Sequence, residues 1–432
     1  SPCNSDVETV LPERSRMPRS TALTLAIVVA IAVRVAVVPI TSFVPIPNER
    51  GEFASIYHPA PSSDLGHYRA MGNLYLECGI VKIVKAIASG HYGMDVEPGG
   101  EGYHCNPAAE KAGMFSSADF RRLQISPPLF PMLIRMLDYR EGHTVPLALL
   151  FVALGIILVS IWLWWLHSRD VPWIWLLALG FLPHLIWFSI NLGSDLLFAL
   201  VFALFFVTYY SDLRPDRRIF WSVVVMLISL LVRPTGVSLL VFMIVDQAFE
   251  GLGKANRRPL WLALAIAVSF LPFAWFFWPY FVSTVGDANT WPFFGIGQAV
   301  FLAGLFDTLP VWLDLPLSWA TLAGAKFAYL FGLRPSYGDV SLPILLARAL
   351  PGLIFLPGFI YLMVRGSRSE KLLVLVVIAP ILAGPAQDRY LLPIQPLLFF
   401  YGWLLYRDFA ARLRSLLAAR KALGSAPPPP PT

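Results

Sequence analysis

Apolar stretches, several of them as long as a bilayer is thick, recur along nearly the whole chain: 21–43, 145–166, 171–190, 195–211, 219–249, 259–283, 343–364, 371–384 and 391–406. A helix needs about 20 mostly apolar residues to cross the hydrocarbon core. Of the 432 residues, 57% are hydrophobic and 14% charged, against about 25% charged in an ordinary soluble domain. No water-soluble core could absorb that much apolar surface, but lipid can. The expected fold class is all-α: a polytopic membrane protein of about ten transmembrane helices with two long outer segments.

The net charge of +6 does not point to nucleic acid, because the basic residues sit in short loops between apolar runs. Such loops stay on the cytoplasmic side. Arg14, Arg16 and Arg19 precede the first run, which carries no small-residue cleavage site and is expected to be a retained helix. Every second short loop then carries basic residues: His167 and Arg169, Arg214, Arg217 and Arg218, Lys254, Arg257 and Arg258, Arg365, Arg368 and Lys371. The alternation works only if the stretch 219–249 is two short helices broken at Arg233-Pro234-Thr235-Gly236. Proline lacks a donor and glycine permits a turn there.

The organisation that follows is a cytoplasmic tail at 1–20, a membrane module at 21–406, and a basic, amphipathic and then proline-rich cytoplasmic tail at 407–432. The module contains two long outer segments, 43–144 and 284–342. The tail helix would lie on an anionic inner surface. Cys78 and Cys105 share the first outer segment. In an oxidising compartment they form a disulfide; otherwise they are free thiols.

This topology collects charged and aromatic residues from distant stretches on one side. Asp64 precedes a helical pattern of Tyr68, Met71, Leu74, Tyr75 and Cys78, and is the leading candidate for a catalytic carboxylate at a helix N-terminus, which keeps it ionised. His67 is a candidate ligand on the acceptor side. Asp195 opens the fourth run, where it would also serve as an N-cap. Arg233, Arg389 with its neighbours Asp388 and Tyr390, and Lys326 and Arg334 in the second long segment complete the set. Arg233 would pair with Asp195 or snorkel to the interface. Arg34, deep in the first run, would reach a phosphate or pair with an internal carboxylate. Charged groups within a bilayer cost on the order of 2.5–3.5 kcal/mol at a helix centre, so several at helix ends suggest a shared cavity.

These residues resemble the motifs of the GT-C glycosyltransferases that use polyprenyl-phosphate sugars, such as the protein mannosyltransferases, the lipid A aminoarabinose transferase and the GPI mannosyltransferases. Asp64 with Tyr68 is similar to the first-loop carboxylate and tyrosine of that family. Pro127-Pro128-Leu129-Phe130-Pro131 resembles its proline-rich segment, Phe188 to Phe198 its third-to-fourth helix turn, Arg233-Pro234-Thr235-Gly236 its Arg-Pro-Thr-Gly motif, and Asp388-Arg389-Tyr390-Leu391-Leu392-Pro393 its late Arg-Tyr-Leu-Leu-Pro motif. The resemblance implies a GT-C-like membrane module. It also implies transfer of a sugar from a polyprenyl-phosphate donor to a hydroxyl of a lipid, polysaccharide or protein acceptor, at the outer face of a bacterial cytoplasmic (inner) membrane, facing the periplasm. Asp64 would be the general base. His67, Tyr68, Asp195, Arg233, Lys326, Arg334, Asp388, Arg389 and Tyr390 would bind substrate. No cofactor is assigned; a divalent cation stays open, although no second acid stands beside Asp64 as in the commoner Asp-Glu form.

Two other classes fit parts of the pattern. The Arg233 break also suits a transporter or lipid flippase with interrupted helices, but no internal repeat accompanies it. A polysaccharide polymerase or ligase using a diphosphate-linked donor usually centres on arginines in one large loop, whereas an aspartate leads the first outer segment here.

Overall fold

The computed structural model describes residues 19–43, 46–47, 53–54, 68, 72, 75–76, 94–96, 103–105, 127–137, 145–190, 193–252, 259, 261–269, 310–333, 349–383 and 388–424. Helices carry the fold. In chain order they are α1 (Arg19–Phe43), α2 (Leu129–Leu137), α3 (Val145–Ser168), α4 (Trp173–Gly180), α5 (Pro183–Ile190), α6 (Ser194–Tyr209), α7 (Pro215–Val232), α8 (Val237–Leu252), α9 (Val311–Leu330), α10 (Gly352–Arg365), α11 (Arg368–Ala383) and α12 (Gln395–Gly424). The first long segment adds two small antiparallel pairs, β1 (Ile46–Pro47) with β2 (Phe53–Ala54), and β3 (Met94–Val96) with β4 (Tyr103–Cys105).

Prolines punctuate the helices where the backbone lacks a donor. Pro215 stands at the start of α7, where its fixed φ fits the first turn. Pro183 divides the run expected as one helix over 171–190 into α4 and α5, and α4 closes at Phe181. Two further departures concern the second long segment and the tail. The 20-residue helix α9 lies within the region expected as a polar loop. The tail helix is a direct continuation of the last apolar run: α12 is buried from Gln395 to Trp403 and exposed from Tyr406 to Arg420, with only Asp408 half-buried among them.

Among the described residues, two helices are long and apolar enough to cross a membrane, Ser20–Val38 within α1 and Pro146–Ser168 within α3. Pro183–Ser189 and Ser194–Tyr209 make a third if counted together, with a bend of 115° between them, as in a broken span or re-entrant loop. The burial pattern agrees with a membrane setting. Val28, Val35, Trp164, Phe220, Trp221 and Trp261 are exposed, while Arg34 and Lys326 are fully buried. Exposed large apolar surface combined with interior cations is costly in water and natural in lipid.

One core runs through the bundle. Its aromatic spine links Trp162, Trp165, Phe206 and Phe400 at centroid distances of 5.1–5.6 Å. Helices α10 and α12 pack without intervening side chains at two points. A Cβ on Gly358 would collide with the Leu398 carbonyl, and one on Gly402 would lie 2.7 Å from the Ile354 carbonyl oxygen. Small residues at such crossings let backbones approach closely, the usual device when lipid removes the hydrophobic drive.

Gly358→Val should therefore lower the thermal midpoint of the detergent-solubilised protein, with an overpacking cost of about 1–3 kcal/mol. Gly324→Ala, where an added Cβ meets nothing within 4 Å, should leave the midpoint unchanged or slightly raised. Fluorescence-detected melting of both variants checks the contrast.

Candidate functional site

The Arg-Pro-Thr-Gly turn is built by steric rules. Pro234 pushes the preceding residue out of the helical region, and Arg233 is extended, at φ −150° and ψ 145°. Its N–H still donates to Ser229 O at 3.0 Å, closing α7. Pro234–Gly236 then forms a 3₁₀ turn, with the Gly236 N–H donating to Arg233 O at 2.9 Å. A Cβ at Gly236 would sit 2.6 Å from the Ser229 carbonyl carbon, so only glycine fits. The result turns the chain into α8 and leaves the Arg233 side chain directed at the start of α6.

Helix α6 begins there. Gly193, not Asp195, occupies the N-cap, and no side chain caps the helix. Asp195 lies in the first turn, almost fully buried, and its carboxylate is committed elsewhere. Oδ1 is ion-paired with the Arg233 guanidinium, and Oδ2 lies 3.8 Å from Arg389 Nη1. The positive end of α6 adds to the stabilisation of the ionised form. Arg389 comes from a second 3₁₀ turn, Asp388–Leu391, just before α12. The Tyr390 ring lies against both cations, 5.0 Å from the Arg233 guanidinium carbon and 5.4 Å from that of Arg389. Cation–π contacts of this kind are attractive and limit how far the guanidiniums can swing.

The first long segment reaches the same place. The Tyr68 hydroxyl is 3.0 Å from the hydroxyl of Ser194, the residue before Asp195. The Tyr68 ring meets Phe130 edge-on at 4.7 Å, and Phe130 is buried on α2, directly after Pro127-Pro128. Tyr68, Asp195, Arg233, Arg389 and Tyr390, five residues singled out from sequence, thus belong to one cluster, and Ser194 and Phe130 are added to it. A serine hydroxyl and a core phenylalanine carry no distinguishing signal in a sequence this apolar.

Lys326 stands beside the cluster. Its helix α9 packs against the turn carrying Arg389 and against α11, and its ammonium donates to Leu382 O at 3.3 Å. Burial pulls that ammonium down to about 8. Asp64, His67, Arg334 and Cys78 lie outside the described residues, and so does the side chain of Asp388. Cys105 is on β4, so the expected disulfide also falls outside them. Among the described residues no group of three or more His, Cys, Asp or Glu side chains could hold a metal ion.

Arg34 departs from both expected partners, phosphate and carboxylate. Its Nε donates to Ser189 Oγ at 3.2 Å, and Nη1 donates to Ala30 O at 3.0 Å and Gly180 O at 3.2 Å. Gly180 ends α4, so Arg34 satisfies a carbonyl freed by the Pro183 break and ties α1 to α5, just ahead of the bend into α6.

The far end of α6 holds a second polar group that the sequence did not single out. The Tyr209 hydroxyl donates to Asp246 Oδ2 at 2.5 Å and accepts from Gln247 Nε2 at 2.9 Å. The Tyr210 and Ser369 hydroxyls are 3.0 Å apart, and Glu370 accepts from the Tyr401 hydroxyl at 2.8 Å. About 20 Å of helix separates this group from Asp195, at 1.5 Å per residue. It ties α6 to α8 and α11, and α11 to α12.

Chemically, the cluster offers two guanidiniums sharing one carboxylate on an aromatic platform, with a hydroxyl pair at its edge. Such an arrangement suits an anion with planar or tetrahedral oxygens. No protein-family model, curated protein or solved structure matches the chain.

If Tyr68 and Ser194 are joined as described, Tyr68→Phe and Ser194→Ala should each cost about 0.5–1.5 kcal/mol. The double variant should cost little more than either alone. Thermal or denaturant melting of the four proteins measures the coupling.

Proposed function

We propose that this protein is an integral membrane glycosyltransferase of GT-C type that moves a sugar from a polyprenyl-phosphate donor to an acceptor hydroxyl at the outer face of the membrane. The observation that carries the reading is the meeting of Tyr68, Asp195, Arg233 and Arg389 with Tyr390 at the ends of helices far apart in sequence. They are among the residues by which the chain resembles that family, and they share one end of α6. In this reading the module has about ten spans, with the cluster on the periplasmic side of a bacterial cytoplasmic membrane. Nucleotide sugars do not reach that compartment, so a donor carried by lipid is required.

In the proposed reaction the acceptor oxygen attacks the anomeric carbon as the bond from that carbon to the phosphate oxygen breaks. The hydroxyl proton passes to Asp64, four residues before Tyr68 in the sequence. The phosphate leaves on the polyprenyl lipid with one more negative charge, which Arg233 and Arg389 stabilise as it develops. A single displacement inverts the anomeric centre. Lys326 and Arg334 are the next candidates for that phosphate contact, and His67 and Asp388 would orient the acceptor.

Asp64→Asn should reduce transfer from a polyprenyl-phosphate sugar by about 10²–10⁴-fold, the usual contribution of a general base. Arg233→Ala should weaken both donor binding and turnover. Near-normal turnover of Asp64→Asn would remove that residue from the base role, and unchanged donor use by Arg233→Ala would remove the clamp.

A further inference from the structure

We infer that the exposed end of α12 is the contact between two copies of this chain, paired through a short parallel coiled coil on the cytoplasmic side of the membrane. The inference rests on the reading of α12 as the last membrane span, and not on the reaction proposed for the cluster. Helix α12 continues unbroken to Gly424. It is tied to the bundle at Tyr406, whose hydroxyl donates to Leu353 O at 2.6 Å, and at Asp408, which accepts from the Tyr361 hydroxyl. Beyond them, Phe409, Leu413, Leu416 and Leu417 are 62%, 46%, 67% and 56% exposed. At 1.5 Å per residue, about 24 Å of helix follows Asp408. A row of large apolar side chains on such an extension marks a contact surface.

The spacing points to the occupant. Phe409, Leu413, Leu416, Arg420 and Leu423 follow one another at alternating intervals of four and three residues. That is the seam pattern by which like helices supercoil. Leu417 flanks the seam, and in a parallel pair the flanking residue that meets it from the other copy is Arg412. The arginine stem covers the leucine while the guanidinium stays in water. Arg407, Arg414 and Lys421 fall outside the seam, so like charges meet across it only at Arg420. One charged residue at such a position fixes register at a cost in stability. Two copies enter one membrane in the same orientation, so a twofold axis along its normal makes their tails parallel. Their confinement also raises the effective concentration that a short zipper needs.

The bilayer surface, expected from the sequence to receive this tail, suits the helix less well. Residues 403–423 contain neither proline nor glycine, and a sharp bend in a helix needs one of these or a comparable break. The stripe is therefore carried outward along the axis of the buried part, away from the lipid.

The test uses the full chain in its membranes, with Cys3, Cys78 and Cys105 replaced by serine and one cysteine introduced at a time. Mild oxidation should join Leu413→Cys and Leu416→Cys into covalent dimers of twice the mass. Ala411→Cys and Ala418→Cys, on the opposite face, should stay mostly monomeric. Purified in detergent, wild type should sediment as a dimer and Leu416→Asp as a monomer. Leu416 lies outside the bundle, so Leu416→Asp should elute without aggregate, which separates a lost contact from a lost fold. Arg420→Leu should lower the dissociation constant of the dimer about tenfold or more, because an apolar side chain replaces the seam charge.

Equal cross-linking at all four positions, or a wild type that is monomeric in detergent and does not cross-link in membranes, would overturn the inference. So would quenching of a fluorophore on Leu416→Cys by spin labels in the lipid tails, which would place the stripe on the membrane. An impermeant reagent that reaches Ala418→Cys from both faces of sealed vesicles would remove the single orientation of α12, and the span reading with it. Failure at the seam alone leaves sugar transfer to its own assay with Asp64→Asn.

Discussion

A carboxylate buried inside an apolar bundle must be met by cations that the fold itself delivers. Asp195 meets this demand through Arg233, just ahead of one 3₁₀ turn, and Arg389, within another more than 150 residues later in sequence. Removing one partner of such a group typically costs about 3–5 kcal/mol. The path of the chain around α6 can be read as the means of keeping the three charges together. Pro234 and Gly236 shape one turn, the segment 388–391 makes the other, and the bend ahead of Ser194 brings the start of α6 between them. At the opposite end of the same helix, Tyr209, Asp246 and Gln247 fix its register against α8.

Much of this was legible in the residues because the cues are steric. The split at Arg233-Pro234 followed from charge alternation and from what proline does to its neighbour, and α7 and α8 separate there. The pairing with Asp195 was one of the roles weighed for Arg233, whereas Asp195 itself was weighed as an N-cap or a site residue. Less legible was whatever depends on three-dimensional packing of residues without distinctive chemistry. Pro183 was read as part of a continuous run because most of the residues around it are apolar, His184 excepted. The helix α9 was hidden among the prolines and charges of its segment. Ser194, Ser189 and Phe130 acquire their roles only from the side chains brought to them, and Arg34 finds carbonyls and a hydroxyl instead of an acid. The role of Asp195 changed in detail as well: Gly193 caps the helix, which leaves the carboxylate to the arginines.

In the proposed reading, the character of the cluster is what distinguishes this chain from the other classes that suit an interrupted membrane helix. A transporter site at a broken helix commonly relies on unwound backbone to hold its ion or substrate. Here the break presents a charged side chain, and the charges converge with a tyrosine from the first long segment. As proposed above, that combination would grip a phosphate while other groups act on the atoms bonded to it.

The sharpest test is sidedness, measured by single-cysteine labelling in intact membranes on a background in which Cys3, Cys78 and Cys105 are replaced by serine. A membrane-impermeant maleimide should reach His67→Cys and Ala386→Cys from the same face, and Arg214→Cys only from the other. Labelling of positions 67 and 386 from opposite faces would contradict the assembly of one site from these stretches.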